Sequence, residues 1–200
     1  ARNLVQSGII NIKLYFMIGL PFESDADVLA IAELTRQIKQ VFLEASRIKK
    51  KIGTITLSIN PFIPKPFTPF QWAAMDTEKN LKRKIKLIQN DLKQIGNIKI
   101  NVESIRKAKI HALMSLGDRK CADLIVKAST EGWASVFRNN KPYCQSVVYS
   151  EKPADYQFPW DFLDNGLKKS FLLKEYDRAG RARTSTVCPM KECRSCSRCR

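Results

Sequence analysis

The chain has 200 residues, 44% of them hydrophobic, which is enough to bury a core in one domain or in one and a half and excludes a wholly disordered polypeptide. Lys and Arg number 35 against 19 Asp and Glu, a formal charge of +16, so the surface attracts phosphates and admits RNA or another anionic partner. The plainer alternative is a lysine-rich solvated surface, because the lysines are spread along helical stretches rather than focused. No apolar run reaches the roughly 18 residues of a membrane span, no signal peptide opens the sequence, and a reducing cytoplasm is the default compartment.

Residues 12–18 mix apolar and β-forming side chains and stop at Gly19-Leu20-Pro21, a strand followed by a turn. Ser24 can then cap a helix whose first turn carries Asp25 and Asp27, acids that suit the helix dipole. Val28, Ile31, Ala32, Leu34, Ile38, Val41 and Phe42 recur at helical spacing, to about Ser46. Glu23 is expected to cap the same helix. Gly53 resets the chain for a second strand over 54–60. The two strands are expected to pair in parallel through a right-handed crossover; two antiparallel strands bracketing a helix are the alternative.

Residues 61–71 hold four prolines, which cannot continue a strand ladder and which stiffen a loop. At the carboxyl end of a strand such a loop serves as a pocket wall or as a plain crossover. Thr77 to Ile95 forms an amphipathic helix with Leu81, Ile85, Ile88, Leu92 and Ile95 on one face, closed by Gly96-Asn97. Ile98 to Val102 reads as a short strand. Ile105–Leu116 and Cys121–Thr130 read as helices broken at Gly117-Asp118, and after Trp133 the pattern weakens until Leu167–Tyr176. Trp72, Trp133 and Trp160 read as packing anchors, and His111 sits within a helical pattern as a core or surface residue. No catalytic triad, phosphate loop or carboxylate pair stands out, so no catalytic residue is assigned.

The cysteines are of two sorts. Cys121 and Cys144 stand in apolar stretches and read as buried and inert. Cys188, Cys193, Cys196 and Cys199 follow the spacing C-x4-C-x2-C-x2-C. Four thiolates so close together bind zinc or an iron–sulfur cluster. The C-x2-C-x2-C run is similar to ferredoxin spacing and favours an auxiliary [4Fe–4S] cluster, with zinc as the alternative. A tail whose thiols merely oxidise is the bland reading.

Tyr15-Phe16-Met17-Ile18-Gly19-Leu20-Pro21-Phe22-Glu23-Ser24 resembles the "IGLPGET" strand end of radical S-adenosylmethionine (SAM) enzymes, with Phe22 where that family usually has Gly. Asn60-Pro61-Phe62-Ile63-Pro64-Lys65-Pro66-Phe67-Thr68-Pro69-Phe70-Gln71-Trp72 resembles the next barrel strand and loop in the subgroup with an N-terminal cobalamin-binding-type domain. Leu116-Gly117-Asp118-Arg119, Pro159-Trp160-Asp161 and the terminal cysteines are similar to that subgroup's C-terminal region. The resemblance implies an α/β fold: the last strands of a partial (β/α) radical SAM barrel over 1–75, a mostly helical extension over 76–180, and a basic Cys-rich tail over 181–200. It implies SAM contacts at Ile18, Gly19, Asn60 and Pro61. It also implies a whole enzyme that forms a 5′-deoxyadenosyl radical, with cobalamin as a further cofactor of the full-length protein. The C-x3-C-x2-C motif that holds the radical SAM cluster is absent before Cys121, so the chain is expected to be the C-terminal portion of a longer polypeptide, partnered by its N-terminal remainder and an unknown substrate.

The rival from another class is a non-catalytic basic RNA-binding module with a C-terminal zinc knuckle. Charge and thiols favour it. Against it, no strand face stands out in the sequence as carrying interleaved aromatic and basic residues.

Overall fold

The computed structural model describes residues 1–49, 52–185, 187 and 188. The chain is mixed α/β, with a small open three-stranded parallel sheet and several helices. It divides into two compact units, residues 1–62 with 76–105 and residues 63–75 with 106–200.

In the first unit β1 (Ile12–Ile18), β2 (Ile55–Pro61) and β3 (Ile98–Val102) run parallel in the order β1-β2-β3. Ile12 lies opposite Ile55 and Ile18 opposite Pro61, while Ile55 lies opposite Ile98 on the other side. The expected parallel pairing is therefore present, with β2 ending one residue later. Strand geometry sends alternate side chains to opposite faces: Ile55, Leu57, Ile59 and Pro61 are buried, whereas Thr56, Ser58 and Asn60 are half-buried.

Helix α1 is the short segment Arg2–Gln6, which the sequence reading did not separate as an element; α2 (Asp25–Lys49) joins β1 to β2, and α3 (Glu78–Leu92) leads to β3. Because the strands step one way across the sheet, right-handed crossovers put α2 and α3 on the same face. They pack side by side: Arg83 forks onto Asp25 at 2.6 and 2.7 Å, and Arg36 pairs with Asp91. Both starts are capped locally. The Ser24 hydroxyl donates to Asp27 Oδ2 at 2.7 Å, and Thr77 Oγ1 accepts from the Asn80 amide at 3.2 Å.

Strand β3 completes the sheet, so α3 and β3 belong with the first unit, and the proline-rich segment 63–75 belongs with the second.

The second unit contains α4 (Ile105–Leu116), α5 (Lys120–Asn139), α6 (Lys141–Val148) and α7 (Lys169–Gly180), with a 3-10 turn at Pro69–Trp72. The break at Gly117-Asp118 is where the sequence puts it. Beyond Thr130 the chain stays helical past a kink at Gly132, whose φ of 76° lies outside the helical region. The proline-rich segment is held by the C-terminal half. Met75 N–H donates to Val148 O at 2.9 Å, and Lys152 N–H donates to Trp72 O at 2.8 Å. An aromatic cluster forms around it: Trp72 meets Phe158 edge-on at 5.5 Å, and Phe158 stacks on Trp160 at 4.8 Å. Trp72 and Trp160 are thus the buried anchors expected, and Trp133 is half-buried against Phe137. Among the described residues no helix is long and apolar enough to cross a membrane.

Candidate functional site

The carboxyl ends of β1 and β2 lie side by side, since Met17 pairs with Asn60 and Ile18 with Pro61. In α/β folds of parallel strands this end of the sheet is where ligands bind. The face away from α2 and α3 is polar. It carries Lys13, Tyr15 and Met17 of β1, Thr56, Ser58 and Asn60 of β2, and Lys99 and Asn101 of β3. Tyr15 is 68% exposed and Met17 48% exposed. Parallel sheets are normally covered on both faces, so an exposed polar face marks the surface free for a ligand or for more protein.

The four strand-end residues divide between the two faces. Asn60 stands on the polar face, half-buried, and its side-chain amide makes no hydrogen bond among the described residues. That amide has donors and an acceptor to offer. Ile18 and Pro61 are buried on the opposite, helix-covered face, and the Ile18 carbonyl already accepts from the Phe62 amide at 2.8 Å. Their side chains therefore serve packing.

Gly19 has φ +78°, and a Cβ there would lie 2.7 Å from Leu81 Cδ2 and 3.1 Å from Asp76 Cβ. Its need for glycine is met by the turn and by the close approach of α3, and its N–H is engaged by Glu23 Oε2 at 2.8 Å. Phe22, where the sequence resemblance expects Gly, has φ 68° and is exposed. A turn that a glycine would hold freely is kept here at a cost of about 1 kcal/mol.

Glu23 does not cap α2, contrary to the sequence expectation; Ser24 and Asp27 do that. The Glu23 carboxylate turns inward instead. Lys84 Nζ lies 2.8 Å from Glu23 Oε2 and 2.9 Å from Asp76 Oδ2, with the Glu23 and Lys84 side chains each 5% exposed. Asp76 also accepts from Thr77 N–H at 2.7 Å and from Asn80 Nδ2 at 2.8 Å. Burial alone would push the Lys84 ammonium down; the hydrogen bonds and charges of Glu23 and Asp76 outweigh it and hold it above its ordinary 10.5. Every member is partnered, so the cluster fixes the turn after β1 rather than moving a proton. Sequence reasoning missed it because its members are separated along the chain.

Cys121 and Cys144 are buried, and burial pushes both thiols up, away from reactivity. His111 is exposed on α4. Cys188 is exposed and not in a disulfide, while Cys193, Cys196 and Cys199 lie outside the described residues. Among the described residues no group of His, Cys, Asp and Glu forms a metal site. On β1, Lys13 Nζ stands 4.9 Å from the Tyr15 ring centroid.

No family model and no solved structure matches the chain. It is similar to an uncharacterized protein of Methanocaldococcus jannaschii, 34% identical over 111 residues, a stretch that is 56% of this chain and 22% of that protein.

Proposed function

We propose that the chain is the C-terminal part of a radical SAM iron–sulfur enzyme acting on an unknown substrate, contributing the strand-end contacts to SAM, with the three-cysteine cluster site elsewhere in a longer polypeptide. The observation that carries this reading is the unpartnered, half-buried amide of Asn60 at the carboxyl end of the central strand, opposite Met17 and on the polar face. Two successive crossovers on one side of a parallel sheet are the winding of a (β/α) barrel, whose inner wall would be this polar face. Asn60 fits a group with an adenine edge or ribose hydroxyls, to which it can both donate and accept. Gly19 shapes the turn next to it, and Ile18 and Pro61 support both from behind. When bound, SAM and a cluster held by another part of the polypeptide would supply the radical chemistry; these residues bind and orient. The thiols of Cys188, Cys193, Cys196 and Cys199 are a donor set suited to an auxiliary cluster or to zinc.

Two measurements test the proposal. In the polypeptide carrying this chain and the three-cysteine cluster site, Asn60→Ala should weaken SAM binding roughly tenfold in equilibrium dialysis, the cost of one lost hydrogen-bonding partner. The present chain alone, reconstituted anaerobically with iron, sulfide and dithionite, should release no 5′-deoxyadenosine. Steady product from it, or unchanged affinity in the variant, overturns the reading.

A second reading has one specific observation in its favour. The exposed Tyr15 ring with Lys13 beside it, and Lys99 on the same face, is the pairing of aromatic platform and cation on which single-stranded RNA stacks. It expects salt-sensitive RNA binding that falls roughly tenfold in Tyr15→Ala.

A further inference from the structure

The second unit contains a cleft of about 420 Å³, within the roughly 300–1,000 Å³ typical of ligand pockets. Gln71 lies in its wall, only 2% exposed. The orientation of its amide is fixed by chemistry. Oε1 accepts from the Phe67 backbone N–H at 3.1 Å and from Trp160 Nε1–H at 3.0 Å. Both partners can only donate, so oxygen must face them and the NH2 group must face away. That NH2 has no acceptor among the described residues, yet it is not among the atoms sealed from solvent without a partner. It therefore opens into the cleft, a donor held in place and unused.

The remaining walls narrow the ligand class. Phe67 and Phe162 line the cleft, and Phe162 is 81% exposed, so its ring is open to stacking by a planar group. Lys169 Nζ is already bound to Asp161 Oδ2 and to the Tyr156 carbonyl, each at 2.6 Å, which leaves the charge of Asp164 uncompensated at the rim. An anion is thereby disfavoured even though the whole chain is formally +16.

We infer that this cleft binds a neutral, planar heteroaromatic group that presents a carbonyl or ring-nitrogen acceptor to the Gln71 NH2 and stacks on Phe162. The inference stands independently of the barrel reading, because every residue it uses lies in the second unit.

The Trp160 indole N–H reports the site directly through its bond to Gln71. In nitrogen–proton NMR, nicotinamide or cytidine at millimolar concentration should shift that signal, and benzoate should not. Gln71→Glu keeps an oxygen for both donors and replaces the NH2 with a second, negatively charged acceptor oxygen, so it should weaken binding roughly tenfold, and a retained Trp160 indole signal in the unbound variant checks that the unit is folded. Phe162→Ala changes an exposed ring and should weaken binding several-fold. The absence of any shift with both neutral probes overturns the inference. So does undiminished binding in Gln71→Glu, or an equal response to benzoate.

Discussion

Replacing Lys84 by methionine is expected to cost about 3–5 kcal/mol of stability, the scale for removing one partner of a buried ion cluster. The ammonium is shared by Glu23 and Asp76 at 2.8 and 2.9 Å. Without it two carboxylates are left facing each other away from water, and Gly19 loses the fixed position of the carboxylate that holds its N–H. Urea unfolding should show a lower midpoint with an unchanged slope. A loss under about 1 kcal/mol would mean that water reaches the cluster and replaces the ammonium. The same cluster sets a pH limit. Lys84 is raised above 10.5 in the folded chain, so its contribution is complete below that value and is lost as pH climbs through the raised one. The variant should lose that alkaline sensitivity, which a pH series of thermal melts would detect.

Gly53→Ala is expected to cost about 3 kcal/mol or more, at the upper end of overpacking. A Cβ at Gly53 would lie 1.6 Å from the Ile10 carbonyl oxygen. That carbonyl belongs to the backbone and cannot rotate away as a side-chain tip could. Moving it would pull on Asn11 and Ile12, whose side-chain oxygen and amide hold Thr54 from both sides at 3.0 Å. Register between β1 and β2 starts there. Amide exchange should report the damage first at Ile12 and Ile55; a variant as stable as the parent would mean the two turns separate freely.

The strands and the caps were legible because they are written locally. Apolar and β-forming residues over 12–18 and 54–60 and the Gly-Leu-Pro turn mark the strands, and Ser24 with Asp25 and Asp27 marks the helix start. That Asn60 comes to lie opposite Met17, two residues before Gly19, follows once the strands are paired in parallel. Lys84 was not legible, because it sits among Leu81, Ile85 and Ile88 in a helix where a lysine is expected to reach solvent. What keeps it inside is a carboxylate that precedes α2 and another that precedes α3. The same is true of Gln71, which reads as one more polar residue in a proline-rich loop until Trp160, 89 residues on, supplies its partner. Helix α6 was missed because eight residues with Pro142 in the first turn give too few periods to stand out.

The segment 63–75 has a consequence for the order in which the chain is made. It leaves the ribosome between two pieces of the sheet unit, but the groups that hold it, Val148, Lys152, Phe158 and Trp160, come much later. At roughly 5–20 residues per second, the 89 residues between Gln71 and Trp160 take about 4–18 s to synthesise. During that interval the Phe67 and Trp72 rings lack Trp160 and Phe158, which they meet in the folded chain, while β1 and β2 on one side and α3 and β3 on the other can already assemble. The sheet unit is therefore able to form before the aromatic loop is held, and the second unit closes on that loop only once Val148 to Trp160 have been made.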